Sequence, residues 1–401
     1  MSWLSIVGIG EDGLPGLGEA ARAAIATAEF VFGGERHLEL AAAAIRGQAR
    51  PWLSPFSDSI AAILALRNRQ VCVLASGDPF HFGVGATLSR HLDASQIKTY
   101  LHPSSFSLAA ARLGWPLQDV QTLSLHGRPL DLVRPHLHPG ARILALTSDQ
   151  NGPEALAALL TEAGFGISII TVLEALGGPR ENVRSQMAMS FALTGIDPLN
   201  ICALSVVALS GARVLPLTPG RDDTLFEHDG QITKREIRAL TLSALAPRRG
   251  EILWDIGAGS GSIAIEWMLA DPGLLAIAIE ADPQRAARIA RNATRFGVPN
   301  LAIVTGTAPE ALAGLESPHA IFIGGGGSEP GVLDAAMKAL RPGGRLVANA
   351  VTLQFEAILL RCHAERGGTI TRIDIARADP IGTMTGWRPA MPIMQWVWVK
   401  S

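Results

Sequence analysis

Short apolar runs alternate along the chain with longer Ala/Leu-rich stretches of helical texture, and the alternation is interrupted once. From Ser2 to about Leu209 the strand-like runs are Leu4–Val7, Val71–Leu74, Ile143–Leu146 and Ile167–Val172. Then comes Pro216-Leu-Thr-Pro219-Gly-Arg-Asp-Asp-Thr224, whose density of Pro, Gly and charge reads as a connection. From Phe226 onward a second series runs through Ile252–Ile256, Leu275–Ile279, Ala302–Val304, Ala320–Ile323 and Arg345–Ala350. Two late runs follow near Thr369–Ile375 and Pro392–Val399. Strands alternating with helices predict parallel, doubly wound sheets. The expected class is therefore α/β, with one domain over 1–210, a linker over 211–225 and a second domain over 226–401. No repeat of fixed period is visible, so the halves are not a duplication.

Composition agrees with this division. A chain of 401 residues is long for one domain. Its 48% hydrophobic and 17% charged content fits well-buried cores rather than disorder. The formal net charge is −2, and no dense Lys/Arg stripe is present, which argues against a nucleic-acid partner. An anionic substrate would have to be met by a local basic patch. Cys72, Cys202 and Cys362 lie far apart and read as inert thiols in a reducing cytoplasm. The start, Met1-Ser-Trp-Leu-Ser-Ile-Val-Gly, lacks the basic region of a secretory leader and reads as a first strand. The most apolar stretch, Leu199 to Leu217, is interrupted by Ser205, Ser210, Gly211 and Arg213. It fits a core strand and its connection better than a membrane span. A soluble protein with no membrane partner is expected.

The candidate chemistry starts at Glu251-Ile-Leu-Trp-Asp255-Ile-Gly257-Ala258-Gly259-Ser260-Gly261-Ser-Ile-Ala-Ile-Glu266. An apolar strand runs into a glycine-rich turn from which a helix opens, so free N–H groups face whatever binds there. The next strand ends on Glu280, 19 residues after Gly261, near the spacing at which such folds place a carboxylate on a ribose. The glycines are spaced G-x-G-x-G, unlike the G-x-G-x-x-G of dinucleotide enzymes. This spacing resembles that of S-adenosylmethionine-dependent methyltransferases.

The likeness extends to I-T-K-R-E-I-R-A-L (232–240), G-T-A-P-E-A-L (306–312), I-F-I-G-G-G-G (321–327) and P-G-G-R-L-V-A-N-A-V-T-L (342–353). Residues 230 to 355 thereby resemble the precorrin methyltransferase/decarboxylase domain of cobalamin biosynthesis, a Rossmann-like class I methyltransferase fold. The resemblance implies cofactor contacts from Thr233, from the loop Gly257, Ala258, Gly259, Ser260 and Gly261, and from Glu280 and Ala308.

The first block carries Val7-Gly8-Ile9-Gly10 at the end of one strand and Ala75-Ser76-Gly77-Asp78-Pro79-Phe80-His81-Phe82-Gly83 at the end of another. His102-Pro103-Ser104-Ser105-Phe106-Ser107 adds hydroxyls suited to a helix N-cap. With L-T-S-D-Q-N-G-P (146–153) and V-L-E-A-L-G-G-P-R-E-N-V (172–183), residues 4 to 205 resemble the tetrapyrrole methylase family. That family has two α/β subdomains with a cleft between them. The resemblance implies cofactor contacts from Ile9, Asp78, His81, Ser104 and Ser105.

Both resemblances together imply one S-adenosylmethionine site per domain and a precorrin substrate. They imply methylation at two meso carbons (C5 and C15), with loss of CO₂ from the C12 acetate. A sulfonium methyl is already activated, so its transfer needs chiefly an electron-rich carbon held about 3 Å away and in line. No triad, metal cluster or paired-carboxylate signature is required, and none is visible. Peripheral carboxylates call for cations. Lys234, Arg235 and Arg238 are the candidate anchors, while Arg285, Arg288, Arg291 and Arg295 share a helical arc that reads as solvated. Asn349, at a strand's C-terminal end, is a further substrate candidate. Two alternatives stay open: a first block that only binds the tetrapyrrole, and an NAD-dependent oxidoreductase on the second. A homo-oligomer is expected, of undetermined order.

Overall fold

Continuous apolar runs become central strands. The computed structural model describes residues 2–401. They divide into two units, one formed by the chain up to Leu130 with His136–Arg213, the other by Asp131–Pro135 with Val214–Ser401.

The first unit holds two sheets. Strands β1 (Leu4–Ile9), β2 (Phe30–Gly33), β3 (Gln48–Pro51), β4 (Val71–Ser76) and β5 (Ile97–Tyr100) form an all-parallel sheet of order β3-β2-β4-β1-β5. Leu4, Ile6, Val7, Cys72, Val73 and Leu74 are buried, as both faces of β1 and β4 are covered. The edges, Gln-Ala-Arg-Pro in β3 and Ile-Lys-Thr-Tyr in β5, carry no such run, so the apolar pattern does not reveal them.

The second sheet departs from the parallel expectation. It is ordered β6 (Gln121–Ser124), β7 (Arg142–Leu146), β10 (Asn200–Ser205), β8 (Ile169–Glu174), β9 (Asn182–Met187). Only β6 and β7 run parallel; the other three pairings are antiparallel. The link from β8 to β9 is too short for a crossover helix, which forces a hairpin.

The second unit is built on one seven-stranded sheet. Its strands are β11 (Ile252–Ile256), β12 (Leu275–Glu280), β13 (Ala302–Thr305), β14 (Ala320–Ile323), β15 (Arg345–Ala350), β16 (Thr369–Ile373) and β19 (Ile393–Val399). The order is β13-β12-β11-β14-β15-β19-β16, with β19 antiparallel to both of its neighbours. Between β16 and β19 the chain makes a separate ribbon, β17 (Ala376–Ile381) with β18 (Met384–Pro389). Chain order reverses between β11 and β14, and such a switch point leaves a crevice at the strands' C-terminal ends.

The stretch read as a linker is no free tether. Leu215 and Arg221 are buried, and the Gly220 and Arg221 N–H groups donate to the Glu266 carboxylate at 2.7 and 3.0 Å. Its Gly and Arg serve a buried acid rather than solvent. Among the described residues, no helix is long and apolar enough to cross a membrane, and no His/Cys/Asp/Glu group is arranged to hold a metal ion.

Candidate active site

The crevice of the second unit begins where β11 leaves the sheet. Gly257, Gly259 and Gly261 all have positive φ, at 70°, 60° and 75°. At Gly257 a Cβ would lie 2.4 Å from the Gly325 carbonyl oxygen, so the loops after β11 and β14 pack backbone to backbone. Below them Asp255 is almost wholly buried, and its Oδ2 accepts the Ala264 N–H at 3.1 Å. Burial pushes its pKa up to about 7; the Ala264 bond opposes the rise and the Glu280 charge adds to it. Glu280 ends β12 and accepts from the Gly259 and Asp282 N–H groups at 2.7 and 3.0 Å. It therefore ties the glycine loop down, and each carboxylate oxygen keeps a further lone pair for a hydroxyl.

A cavity of about 740 Å³ opens among these elements. Of the residues expected at the cofactor, Thr233, Gly257, Ala258, Gly259, Glu280 and Ala308 line it. Ser260 and Gly261 lie outside the lining. The Ser260 hydroxyl is buried without a hydrogen-bond partner among the described residues. Gly261 caps the helix Ser262–Met268, and a Cβ there would strike Ile289, so its glycine serves helix packing.

The cations divide. Lys234 lines the cavity, whereas Arg235, the next residue, does not. Arg238 is no substrate anchor: it is fully buried, donates from Nε to Glu266 at 2.8 Å and from Nη1 to Asp223 at 2.9 Å, and lies over the Phe226 ring. A helix-start arginine reads as exposed until its partner, Glu266, is seen beneath it. Nor is the arginine arc simply solvated. Arg285 and Arg288 each pair with Asp229 at 3.0 Å, and Arg291 pairs with Glu227 at 2.6 Å. The ion pair with Arg288 and hydrogen bonds from the Gln231 N–H and Arg285 hold the Asp229 carboxyl well below the usual carboxylate range. These pairs strap down the segment leading into Gly230–Lys234, one wall of the cavity, and Arg285 itself lines it.

The wall farthest along the sheet escaped sequence reasoning. Ile373, Ile375, Met391 and Ile393 line it, with Arg377 from the ribbon and Val351 beside Asn349. Asn349 sits where expected, and behind it are two unforeseen partners, Thr241 and Gln395. The alternation Ile373-Asp374-Ile375 was the available signal.

In the first unit Gly77 follows β4 with φ 53°, and a Cβ there would lie 2.8 Å from the Pro103 carbonyl oxygen. The β4 loop thus abuts the turn at 103–105. Ile9, Ser76, Gly77 and Ser105 meet around a cavity of only about 60 Å³. Ser104 is the N-cap of the helix Ser105–Leu113 and accepts the Ser107 N–H at 3.2 Å. His81 Nδ1 lies 3.3 Å from the Ser104 hydroxyl, and its ring stacks on Phe106 and Phe82. Asp78 accepts the Phe80 N–H at 2.8 Å, which closes the turn. Asp78, His81 and Ser104 are neighbours of the cavity rather than its lining.

A cluster without a sequence signature stands beside them. Arg36 bonds to Glu11 and lies 2.7 Å from His37 Nε2 and 3.1 Å from the Ser76 hydroxyl. Arginine only donates, so Nε2 accepts and Nδ1 carries the ring proton. Burial and the Arg36 charge push the His37 pKa down to about 4, which keeps the ring neutral.

Comparison with known proteins agrees with both halves. Residues 4–188 match the family model of the tetrapyrrole (corrin/porphyrin) methylases, and residues 224–400 match that of the precorrin methyltransferase domain. A precorrin-6Y C(5,15)-methyltransferase (decarboxylating) of Sinorhizobium sp is 65% identical over 399 residues, 100% of this chain and 97% of that one. The chain belongs to the family of precorrin-6Y C(5,15)-methyltransferases (decarboxylating). A second member of the family, from Mycobacterium tuberculosis, is 41% identical over 98% of both chains. A protein of Pyrobaculum calidifontis, named a probable cobalt-precorrin-6B C(15)-methyltransferase (decarboxylating), is 36% identical over 183 residues, 44% of this chain and 93% of its own.

Proposed function

We propose that this chain methylates a precorrin at the meso carbons C5 and C15 and removes CO₂ from its C12 acetate, with one S-adenosylmethionine site in each unit. The observation that carries the reading is the cavity at the switch point of the seven-stranded sheet, in a chain related over its full length to the named enzymes.

The residues fit the cofactor. The glycine loop is a cradle: Gly257, Ala258 and Gly259 line the cavity with backbone and one methyl group, and a Cβ at Gly257 would push the loop off the Gly325 backbone. Glu280 has lone pairs to spare for two ribose hydroxyls. S-adenosylmethionine, when bound, supplies a methyl group already activated for transfer. The protein's part is then to orient and to exclude water. Thr233 and Ala308 narrow the cavity on two sides, and Lys234 and Arg377 offer charge to the carboxylates at the edge of the macrocycle. A meso carbon of a partly reduced tetrapyrrole is enamine-like, so holding it in line supplies most of the rate.

The second unit is assigned C15 methylation and decarboxylation, and the first unit C5 methylation. The Pyrobaculum relative supports this division, because its name joins both steps in a chain little more than 183 residues long. The cramped cavity of the first unit favours one rival reading, in which that unit merely holds the tetrapyrrole. Mass spectrometry of the product separates the two. A Ser105→Trp variant of the full chain, which fills the first unit's cavity, should add one methyl and still lose CO₂; retention of both methyl transfers would defeat the two-site reading.

A further inference from the structure

Three polar side chains cluster in the core behind the large cavity. Thr241 is fully buried, Gln395 is 5% exposed and Asn349 is 7% exposed. Asn349 Nδ2 donates to the Thr241 hydroxyl at 2.9 Å, and Gln395 Nε2 donates to Asn349 Oδ1 at 3.0 Å and to Thr241 at 3.3 Å. A buried network with every member bonded is rigid. The Asn349 amide is held from both sides, using one N–H and one oxygen lone pair. One N–H and one lone pair remain, whichever way round the amide lies. Only Asn349 of the three lines the cavity.

Its surroundings are apolar. Asn349 stands opposite Gln395 across β15 and β19, and Ile393 stands opposite Ile373 across β19 and β16. The two-residue period of a strand puts Asn349, Ile393 and Ile373 on one face, with Val351 continuing it. Those three apolar residues line the cavity beside the amide. The cations of the same cavity differ: Lys234 is exposed, and the Arg377 side chain is 46% exposed and paired with Glu236. The charged groups are paired or reach toward water, and a neutral donor lies among apolar side chains.

We infer that Asn349 binds the acetate carboxylate that leaves as CO₂, with Thr241 and Gln395 as its positioning residues. The inference rests on the decarboxylating function proposed above. A guanidinium against that carboxylate would stabilise the charge where it starts and so oppose its departure. A single amide N–H fixes its orientation, while the apolar wall favours the dispersed charge that follows. In the step itself the bond between carboxyl carbon and methylene breaks. The electron pair passes to the methylene and into the conjugated ring, CO₂ leaves, and a proton from water completes the methyl group. Lys234 and Arg377 hold carboxylates that stay.

The test uses the full chain with precorrin and S-adenosylmethionine. Products are weighed for methyl groups gained and CO₂ lost, and cofactor binding is measured by calorimetry. Asn349→Leu should cut CO₂ loss per methyl transferred by about tenfold while cofactor affinity stays unchanged. Thr241→Val, of equal shape but without the hydroxyl, should lower the same ratio, and Thr241→Ser should restore it. If Asn349→Leu no longer binds cofactor, the Thr241 pair decides alone. A wild-type ratio in Thr241→Val, or an equal fall in CO₂ loss and all methyl transfer, overturns the inference. A wild-type chain that methylates and never releases CO₂ would instead overturn the function on which it rests.

Discussion

The two candidate sites of this chain are built on opposite principles. The second unit encloses a cavity of about 740 Å³ whose shape follows from sheet topology, with the glycine loop, Glu280 and the strap at 227–229 fixed before any ligand arrives. The first unit gathers its expected residues in and beside a cavity of about 60 Å³, with His81 bonded to Ser104 and Asp78 to the Phe80 N–H. Opening such a cleft costs side-chain contacts that a preformed basin does not have to break. The same reagent should therefore meet a roomy pocket in one unit and a narrow one in the other. Calorimetry on the intact protein should show two unequal binding steps, the weaker belonging to the first unit.

The largest effect should come from the clasp that holds the roomy pocket in shape. Glu266→Ala leaves Arg221 buried without its acid and Arg238 with Asp223 alone, and should destabilise the second unit by about 3 kcal/mol, read by chemical denaturation. A loss below about 1 kcal/mol would mean that the pocket does not depend on the clasp.

Asp255 comes next. Its pKa in the folded protein, about 7, lies above its ordinary 3.8, so the protonated form is favoured by folding. The stability linked to it is complete below pH 4 and is lost as pH rises through 7. Asp255→Asn, neutral throughout, should match the wild type near pH 4 and exceed it by about 2–4 kcal/mol above pH 7. Equal melting temperatures at pH 8 would show that the cavity floor is wetter than its burial indicates.

A smaller change should erase the difference between the sites. Gly257→Val sets a branched side chain at φ 70° against the Gly325 carbonyl, and should cost the tighter binding step about 2 kcal/mol, or roughly thirtyfold in affinity. If the weaker step disappears instead, the assignment of the two steps is reversed. The least effect is local: Ser104→Ala removes an N-cap in the first unit and should lower its stability by about 1 kcal/mol, leaving the tighter step untouched.

Legibility in the sequence followed burial. Strands covered on both faces, such as β1, β4, β11 and β14, announce themselves as mostly apolar runs, while β3, β5 and β9 at sheet edges carry Gln, Lys, Arg and Ser and do not. The antiparallel β10 was visible as a strand, but its direction depends on short connections rather than on its own residues. In the site, the glycine loop and Glu280 could be read because they are local in sequence and rest on one turn. Asn349 could be read from its place at a strand end, but its partners Thr241 and Gln395 could not, since they lie on a helix and another strand far away in the chain and meet it only after the sheet has closed. Arg238 was misread for the same reason.

The grip of Glu266 on Gly220 and Arg221 has a practical bearing on any attempt to divide the polypeptide. A fragment beginning at 226 would discard the backbone donors that this carboxylate needs, and would leave Arg238 without the Arg221 carbonyl it also binds. A fragment beginning near 211 retains the whole clasp. The better place to cut therefore lies ahead of the proline-rich stretch rather than after it.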